Sequence, residues 1–200
     1  IGFSYLRGMH LNDSKKDLIL VGEWNAPVIF KNTGRRLTTF SSNLTEWSGF
    51  WNTVECVDLN NDGKKDLILG NKGTNTSYKA TKEKPMKLFI NDYDIDGTIE
   101  QITTQTIDGK DVPLHLKQEL AKQIPMIKKK NLSYTEYSKK TFQELFDTEV
   151  INNSVQKTAK MKESCIAINT GNGTIELHAL PKEVQFSSVH AIATMDVNRA

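Results

Sequence analysis

Two nine-residue segments constrain this chain most, because each places oxygen-bearing side chains at alternate positions of a sharply turning loop. Residues 58–66 read DLNNDGKKD, and residues 92–100 read DYDIDGTIE. In both segments such side chains occupy positions 1, 3, 5 and 9, and position 6 is glycine, which tolerates positive φ because it lacks Cβ. This spacing lets a loop direct several oxygens inward, which is the environment that a hard cation such as Ca²⁺ requires.

The sequence therefore predicts two calcium sites. The candidate side-chain ligands of the first loop are Asp58, Asn60, Asp62 and Asp66. Those of the second loop are Asp92, Asp94, Asp96 and Glu100. Position 7 is expected to offer a backbone carbonyl in each loop, from Lys64 and from Thr98.

An alternative interpretation needs no metal, since Asp, Asn and Gly also favour ordinary turns. The second loop argues for metal more strongly, because it gathers four carboxylates and contains no Lys or Arg. Like charges at this density repel unless a cation or hydrogen-bond donors neutralise them. In the first loop we expect Lys64 and Lys65 to point outward.

Neither loop is an EF-hand, because position 12 is Leu69 in one and Thr103 in the other, where that motif needs a bidentate Glu. The short apolar runs 67–69 and 88–90 instead predict strands next to the loops. We therefore expect the metal loops to join or leave β-strands.

A repeat accompanies the loops. Residues 17–22, DLILVG, echo residues 66–70, DLILG, at a distance of about 50 residues, which is typical of one four-stranded propeller blade. Residues 28–32 are predicted as the next strand of the first copy, and residues 86–90 are assigned the same role in the second. The loop before Asp17 is one residue short, with His10 as its first ligand and Ser14 in place of glycine, so we expect no calcium there.

Further along, residues 165–169 and 174–177 predict two strands that flank a hairpin turn. Residues 188–193 lead into Asp196 much as residues 51–56 lead into Asp58. Because the chain stops two ligand positions into this last pattern and starts without Met, we expect it to be a piece of a longer repeat protein.

From about residue 113 to residue 151 the apolar period changes from 2 to 3.6, which predicts a helical insertion. Pro125 is expected to end or kink the first helix, whose apolar stripe comprises Leu116, Leu120, Ile124 and Ile127. A second helix is predicted to begin near Ser133 or Thr135 and to carry Tyr137, Phe142, Leu145 and Phe146. The lysine run 128–130 indicates either a solvated face or an anionic partner.

Composition limits the remaining classes. The formal net charge is +2, which gives no electrostatic reason to expect nucleic-acid binding. No apolar run approaches the ~20 residues needed to cross a bilayer, so no transmembrane segment is expected. The two cysteines, Cys56 and Cys165, lie in apolar stretches and are expected as buried free thiols, although the sequence does not decide whether they pair.

The motifs together resemble the FG-GAP/VCBS family of β-propeller repeats. The resemblance rests on residues 58–70, 91–102, 169–181 and 196–198, and it extends to integrin α-subunit propellers and to bacterial surface proteins related to cartilage acidic protein. It implies an all-β fold, namely a partial β-propeller of FG-GAP repeats. Residues 1–200 would form a fragment of one propeller domain with about three repeats and the helical insertion at 113–151.

The resemblance also implies that Ca²⁺ sits in the loops and that the protein lies outside the cell or on its surface, including the periplasm or outer membrane. The implied function is a binding or adhesion scaffold for a protein or glycan ligand that the sequence does not identify. No catalytic residues and no organic cofactor are predicted, since the four histidines are scattered and no nucleophile elbow occurs.

Two alternatives to this scaffold remain open. The first is a propeller-type polysaccharide hydrolase or lyase with its active groups on the rim or in missing blades. Trp24, Trp47 and Trp51 could then stack on sugars, although such residues also serve to pack blades together. The second alternative is that the helical insertion docks a partner in a larger surface assembly.

Overall fold

The computed structural model describes residues 5–9 and 15–197, and for residues 5–9 only the backbone is considered. The defective loop predicted around His10 and Ser14 lies outside the described residues, as does Asn198. The chain divides into two compact units. Unit one contains residues 1–78 and 159–200, and unit two contains residues 79–158.

The described residues are mostly β-structure. The strands are β1 (Tyr5–Met9), β2 (Asp17–Val21), β3 (Glu23–Asn25), β4 (Val28–Asn32), β5 (Leu37–Phe40), β6 (Gly49–Phe50), β7 (Thr53–Val57), β8 (Asp66–Gly70), β9 (Met86–Asn91), β10 (Glu100–Ile107), β11 (Lys110–Pro113), β12 (Val155–Ala159), β13 (Cys165–Gly171) and β14 (Thr174–Ala179). The helices are α1 (Lys117–Gln123), α2 (Met126–Lys130), α3 (Tyr134–Ser138), α4 (Phe142–Leu145) and α5 (Thr148–Asn152), with 3₁₀ turns at Asn43–Glu46 and Lys182–Phe186. None of these helices is long and apolar enough to cross a membrane.

Unit one contains two four-stranded antiparallel sheets. The strand order is β1-β2-β4-β5 in the first and β14-β13-β8-β7 in the second, while β3 and β6 form a separate two-stranded pair. Alternate residues of β2 point into the core, so that Ile19 and Val21 are fully buried. They share one apolar cluster with Leu67 and Leu69 of β8, which shows that the two DLIL segments perform the same packing role.

The predicted repeat of the DLIL strand is confirmed. In both copies the aspartate that starts this strand bonds to an asparagine on the neighbouring strand, which the sequence did not reveal. Asp17 at the start of β2 accepts a 2.7 Å hydrogen bond from the backbone amide of Asn32 at the end of β4. Asp66 at the start of β8 accepts a 2.8 Å bond from the amide of Asn169 in β13. Each Asn side chain donates in return to the carbonyl of the residue before the aspartate. This pair of hydrogen bonds, which we call the Asp–Asn clasp, therefore joins the two central strands of each sheet.

The strand assigned to residues 86–90 exists as β9, but its predicted role was wrong. β8 pairs with β13, with Ile166 opposite Ile68, and β9 belongs to another sheet. Unit two is thus inserted in the chain between two adjacent strands of the second sheet of unit one. The sequence suggested the nearest following strand as the partner of β8, because most consecutive strands are neighbours in space.

Unit two combines a sheet of order β11-β10-β9-β12, in which β11, β10 and β9 pair antiparallel, with the five helices. Phe89 of β9 stacks on Phe142 of α4, with ring centroids 4.0 Å apart. Tyr93 meets the same ring edge-on at 5.9 Å. This aromatic cluster connects the sheet to the helices and forms the centre of the unit's own hydrophobic core.

The predicted helical insertion is present, but its helices are shorter than expected. α1 ends at Gln123 and α2 begins at Met126, so the break falls around Pro125 as predicted. Of the four residues predicted on the stripe, Leu120, Ile124 and Ile127 are fully buried. Leu116 is 65% exposed, because it precedes α1 and its backbone amide donates to the Glu119 carboxylate.

The single second helix predicted near Ser133 is divided into α3, α4 and α5. Ser133 caps the first of these helices, α3, because its hydroxyl accepts a 3.1 Å hydrogen bond from the amide of Glu136. The chain becomes extended again at Thr141, where ψ is 167°. The Thr141 amide and hydroxyl both donate to the Glu144 carboxylate, at 2.7 and 2.9 Å, so this residue starts a new helix.

A buried polar network holds unit one together where the chain leaves and re-enters it. The amide of Asn71 donates to the Ser164 hydroxyl at 2.9 Å, and the Asn71 side chain accepts from the amide of Phe50. The Gln185 side chain accepts from the amide of Ser164 and donates to its carbonyl, at 2.9 and 2.8 Å. These bonds satisfy groups that burial would otherwise leave without partners, at a cost of about 1–3 kcal/mol each.

Neither cysteine forms a disulfide, and Cys56 is only half-buried, so the expectation of burial is wrong for this residue. Cys165 is fully buried, and this burial raises the pKa of its thiol to about 12. The tryptophans lie in unit one, where Trp51 is fully buried and Trp24 packs edge-on against Phe50 at 4.9 Å. These two rings therefore serve packing rather than offering open faces to a sugar.

Gly73 provides a test of this region, because an added Cβ would lie 2.5 Å from the Gln185 carbonyl oxygen. Gly63 has the same φ of +82° and open space around it. We expect Gly63→Ala to cost about 1 kcal/mol from backbone strain and Gly73→Ala to cost about 1–3 kcal/mol more from overlap. Urea denaturation in chelator, followed by tryptophan fluorescence, measures the free energy of unfolding of unit one, because this unit contains all three tryptophans. Equal losses would contradict the close packing at Gly73.

Candidate metal centre

Both acidic loops are hairpin connections between antiparallel strands, as the sequence predicted. The first joins β7 to β8, and the second joins β9 to β10. In each loop the residue at position 9 is also the first residue of the following strand, namely Asp66 and Glu100. Strand pairing therefore fixes both ends of each loop before any metal binds.

The two loops share an unusual backbone conformation. At position 4, Asn61 has φ of +59° and Ile95 has φ of +61°. At position 6, Gly63 and Gly97 have φ of +82° and +89°. Glycine and asparagine accept this region at little cost, whereas a β-branched residue such as isoleucine is strained in it. Two left-handed residues, separated by a single residue, turn the chain sharply enough to bring alternate side chains together.

A set of hydrogen bonds holds the first loop. Asp58 accepts from the amides of Asp62 and Gly63 at 3.2 and 2.9 Å, and Asp62 accepts from the amide of Lys64 at 2.8 Å. Asp66 accepts from the amide at position 2 at 2.9 Å. The side chain of Asn60, another predicted ligand, accepts from the amide at position 5 at 3.1 Å.

The second loop repeats the four bonds to its carboxylates. The amides at positions 5 and 6 donate to Asp92 at 3.1 and 2.9 Å, and the amide of Thr98 donates to Asp96 at 2.7 Å. The amide of Tyr93 donates to Glu100 at 2.8 Å. The similarity inferred from the sequence thus extends to backbone hydrogen bonds in two different units.

The loops differ in how they balance charge. Lys64 places its ammonium 3.1 Å from the Asp62 carboxylate, so the expectation that this lysine points away from the loop was wrong. The backbone amide of Lys64, together with its ammonium, lowers the pKa of Asp62. A two-residue separation in a tight turn brings the lysine back over the loop. The first loop therefore supplies an internal counter-charge.

The second loop has no such cation. The carboxylates of Asp92, Asp94, Asp96 and Glu100 each offer an oxygen, and these oxygens all lie within 4.8 Å of one another. Within the described part of the chain, this is the one grouping of three or more acidic, histidine or cysteine ligands at such distances. One oxygen of Asp94 and one of Glu100 are buried without a hydrogen-bond partner.

The electrostatics reflect this crowding. Desolvation, followed by the negative charges of Asp96 and Asp92, raises the pKa of Asp94. Desolvation also raises the pKa of Glu100, and the charges of the three aspartates add to it, although the hydrogen bond from the Tyr93 amide acts in the opposite direction. Carboxylates that converge, lack partners and resist ionisation form a donor set that suits a hard divalent cation.

Tyr93 anchors the second loop in a way that the sequence did not reveal. It occupies position 2, where the first loop has the 40% exposed Leu59, and it is itself buried. Its phenol lies 3.0 Å from the Ser154 hydroxyl, and its ring packs 4.6 Å from that of Phe146. Burial raises the pKa of the phenol to about 12. The signal that the sequence offered for this anchor was an aromatic residue at position 2, where the first loop has leucine.

Ile95 yields a test of the loop conformation. Its side chain is 83% exposed and its φ is positive, so Ile95→Asn removes strain without removing packing. We expect a gain of about 1 kcal/mol in the stability of this hairpin, since left-handed backbone costs L-residues about 1–2 kcal/mol. Amide hydrogen exchange of β9 and β10 measures the change. Ile99→Asn is the matched control, because Ile99 is also exposed but lacks positive φ, and an equal gain there would refute the explanation.

Comparison with known proteins identifies one part of the chain. No curated protein and no solved structure matches it. One family model, described as FG-GAP-like repeat, matches residues 11–69. The match spans β2 to β7, the first acidic loop and most of β8, and it ends before unit two. The FG-GAP part of the predicted resemblance is thus confirmed for residues 11–69, while the relation to VCBS repeats, integrin propellers and cartilage acidic protein stays a prediction.

Proposed function

We propose that the protein is a calcium-stabilised repeat module of a secreted or cell-surface protein and that it serves as a binding or adhesion scaffold. The observation that carries the proposal is the convergence of four carboxylates in the second loop, with buried oxygens that lack partners. The FG-GAP-like repeat at residues 11–69 supports the scaffold role.

The repeat organisation supports a propeller. The two sheets of unit one have four antiparallel strands each, and in both an Asp–Asn clasp joins the two central strands. We interpret them as consecutive blades, with unit two as an insertion between the second and third strands of the later blade. Propellers are built from four to eight such blades, so further blades would complete the domain.

Calcium has a structural role in this proposal. In the second loop the ion would bind the four carboxylates and the Thr98 carbonyl, and it would neutralise charges that otherwise oppose hairpin closure. In the first loop it would use Asp58, Asn60, Asp62, Asp66 and the Lys64 carbonyl. There it must first displace the Lys64 ammonium from Asp62, so we expect weaker binding.

The expected affinity favours an extracytoplasmic location. Calcium sites of extracellular modules have Kd values of about 10⁻⁴–10⁻³ M, which only a calcium-rich compartment fills. We propose the exterior or cell surface, including the periplasm, as the site of action. The macromolecular partner would be a protein or a glycan.

Asp94→Asn tests the metal role of the second loop. With calcium present we expect unit two to melt at a lower temperature, because a charged ligand is lost. In chelator we expect no loss and a small gain, because the change removes a repelling carboxylate with a raised pKa. Asp108→Asn, in the β10–β11 turn of the same unit, is the charge-matched control and should respond equally in both buffers. Equal losses for Asp94→Asn in calcium and in chelator would refute the calcium site.

The pH dependence gives a second test. Because the folded-state pKa values of Asp94 and Glu100 lie above the ordinary values of 3.8 and 4.5, the folded protein binds protons more tightly than the unfolded chain. In chelator, these two groups should therefore contribute a rise in the stability of unit two as pH falls through their raised pKa values, whereas Glu136 and Glu144, whose pKa values are lowered, contribute a loss. Saturating calcium should reduce this rise, since the ion competes with the protons. The test is the difference between the parent and Asp94→Asn, since both retain Glu136 and Glu144: a parent that gains no stability relative to the variant as pH falls in chelator would contradict the crowding.

A further inference from the structure

Unit two contains a second charged feature that the calcium proposal does not use. A cavity of about 370 Å³ is lined by Lys117, Gln118, Ala121, Lys122, Lys128 and Tyr134. A neighbouring cavity of about 350 Å³ shares Lys117 and Tyr134 and adds residues from β11, from the segment before α1 and from α3. The two together form one groove, which we call the α1–α3 groove, and each part has the size of a typical ligand site.

Lys117 is the most informative residue of the groove. The residue as a whole is only 8% exposed, but its ammonium is not enclosed and forms no hydrogen bond or ion pair with any described residue. Its ammonium lies 5.5 Å from the centre of the Tyr134 ring, and this cation–π contact is its only polar interaction in the described chain. Its stem is therefore packed while its ammonium faces the cavities. An ammonium held in this way can form a charge-assisted hydrogen bond with an anion.

The remaining charges favour the same sign of ligand. Lys122 and Lys128 line the first cavity and Lys140 lines the second, while no acidic residue lines either. The nearby acids are engaged elsewhere. Glu119 accepts from the backbone amide of Leu116, and Glu136 accepts from the amide of Leu132 and pairs with Lys140 at 3.5 Å.

The structure also separates the members of the lysine run 128–130. Lys128 faces the groove, and Lys130 lies 3.9 Å from the Asp147 carboxylate. Lys129 is exposed and lines neither cavity. Lys129 therefore fits the solvated face that the sequence offered as one interpretation, and Lys128 is placed where the other interpretation, an anionic partner, would need it.

The aromatic and apolar parts of the lining narrow the class of ligand. Tyr134 is 52% exposed and lines both cavities, and the Lys117 ammonium lies over its ring. Leu114, Pro113 and Leu116 continue the apolar surface along the second cavity. An exposed aromatic ring between cationic groups fits a sugar ring that carries a negative charge, because C–H groups stack on the ring while ammonium groups bind the anion.

We propose that the α1–α3 groove binds an acidic saccharide chain, with carboxylate or sulfate groups on Lys117, Lys122 and Lys128 and a sugar face on Tyr134. This gives a partner to the binding role proposed above and rests on it, but it uses no residue of the calcium loops. An acidic peptide is the competing ligand and is an outcome of the test. Both uronate and sulfate sources share the required chemistry.

The test titrates the full chain, in calcium and in chelator, with oligogalacturonate, with sulfated dextran oligosaccharide and with neutral dextran, using calorimetry. We expect at least one acidic saccharide to bind, neutral dextran not to bind, and added salt to weaken binding through charge screening. Binding by oligogalacturonate or by the sulfated chain identifies the source of the anion. Absence of binding by both overturns the proposal, whatever the melts of the calcium-loop variants show.

Matched variants locate the site. Lys128→Gln should weaken binding about tenfold, whereas Lys129→Gln on the same helix should leave it nearly unchanged. Lys117→Met should abolish binding while leaving the stability of the protein nearly unchanged, because Met keeps an unbranched apolar stem and removes only the ammonium. Equal effects of Lys128→Gln and Lys129→Gln would refute the groove. Tighter binding of poly-glutamate than of any saccharide, lost in Lys117→Met, would overturn the saccharide in favour of an acidic peptide.

Discussion

Repulsion among four carboxylates at the end of one β-hairpin is the constraint on which unit two depends. The oxygens of Asp92, Asp94, Asp96 and Glu100 converge within 4.8 Å, and strand pairing holds them there from both sides. The fold supplies part of the compensation through backbone amides that donate to three of these residues. A proton or a cation could balance the remaining charge, so the stability of the hairpin is expected to depend on pH and on divalent metal.

The first loop shows that the same backbone can meet this requirement in another way. It uses equivalent left-handed residues and equivalent amide donors, yet Lys64 provides a local positive charge at 3.1 Å from Asp62. A loop with its own cation is less dependent on metal and is expected to hold it less tightly. The comparison separates the geometry of the motif, which both loops possess, from the excess negative charge, which has no internal cation in the second loop.

The sequence predicted features that depend on near neighbours along the chain and failed where distant residues decide. The acidic hairpins, the DLIL strands and the break at Pro125 follow from local spacing. The pairing of β8 with β13 does not, because unit two lies between them in the chain and both neighbouring strands carry similar apolar runs. The burial of Tyr93 under its loop and of Lys117 beside its groove depends on helices whose packing a linear pattern does not specify.

Charge balance also links the two proposals about unit two. In the absence of metal, the acidic hairpin and the lysines of the groove carry opposite charges within one unit, so their long-range fields partly cancel. Calcium would neutralise the hairpin and leave the lysines uncompensated, which increases the attraction of an anionic chain at distances within the Debye length of about 8 Å at physiological salt and weakly beyond it. A calcium-rich exterior would therefore favour both the folded hairpin and the capture of an acidic saccharide, without any residue being shared between the two sites.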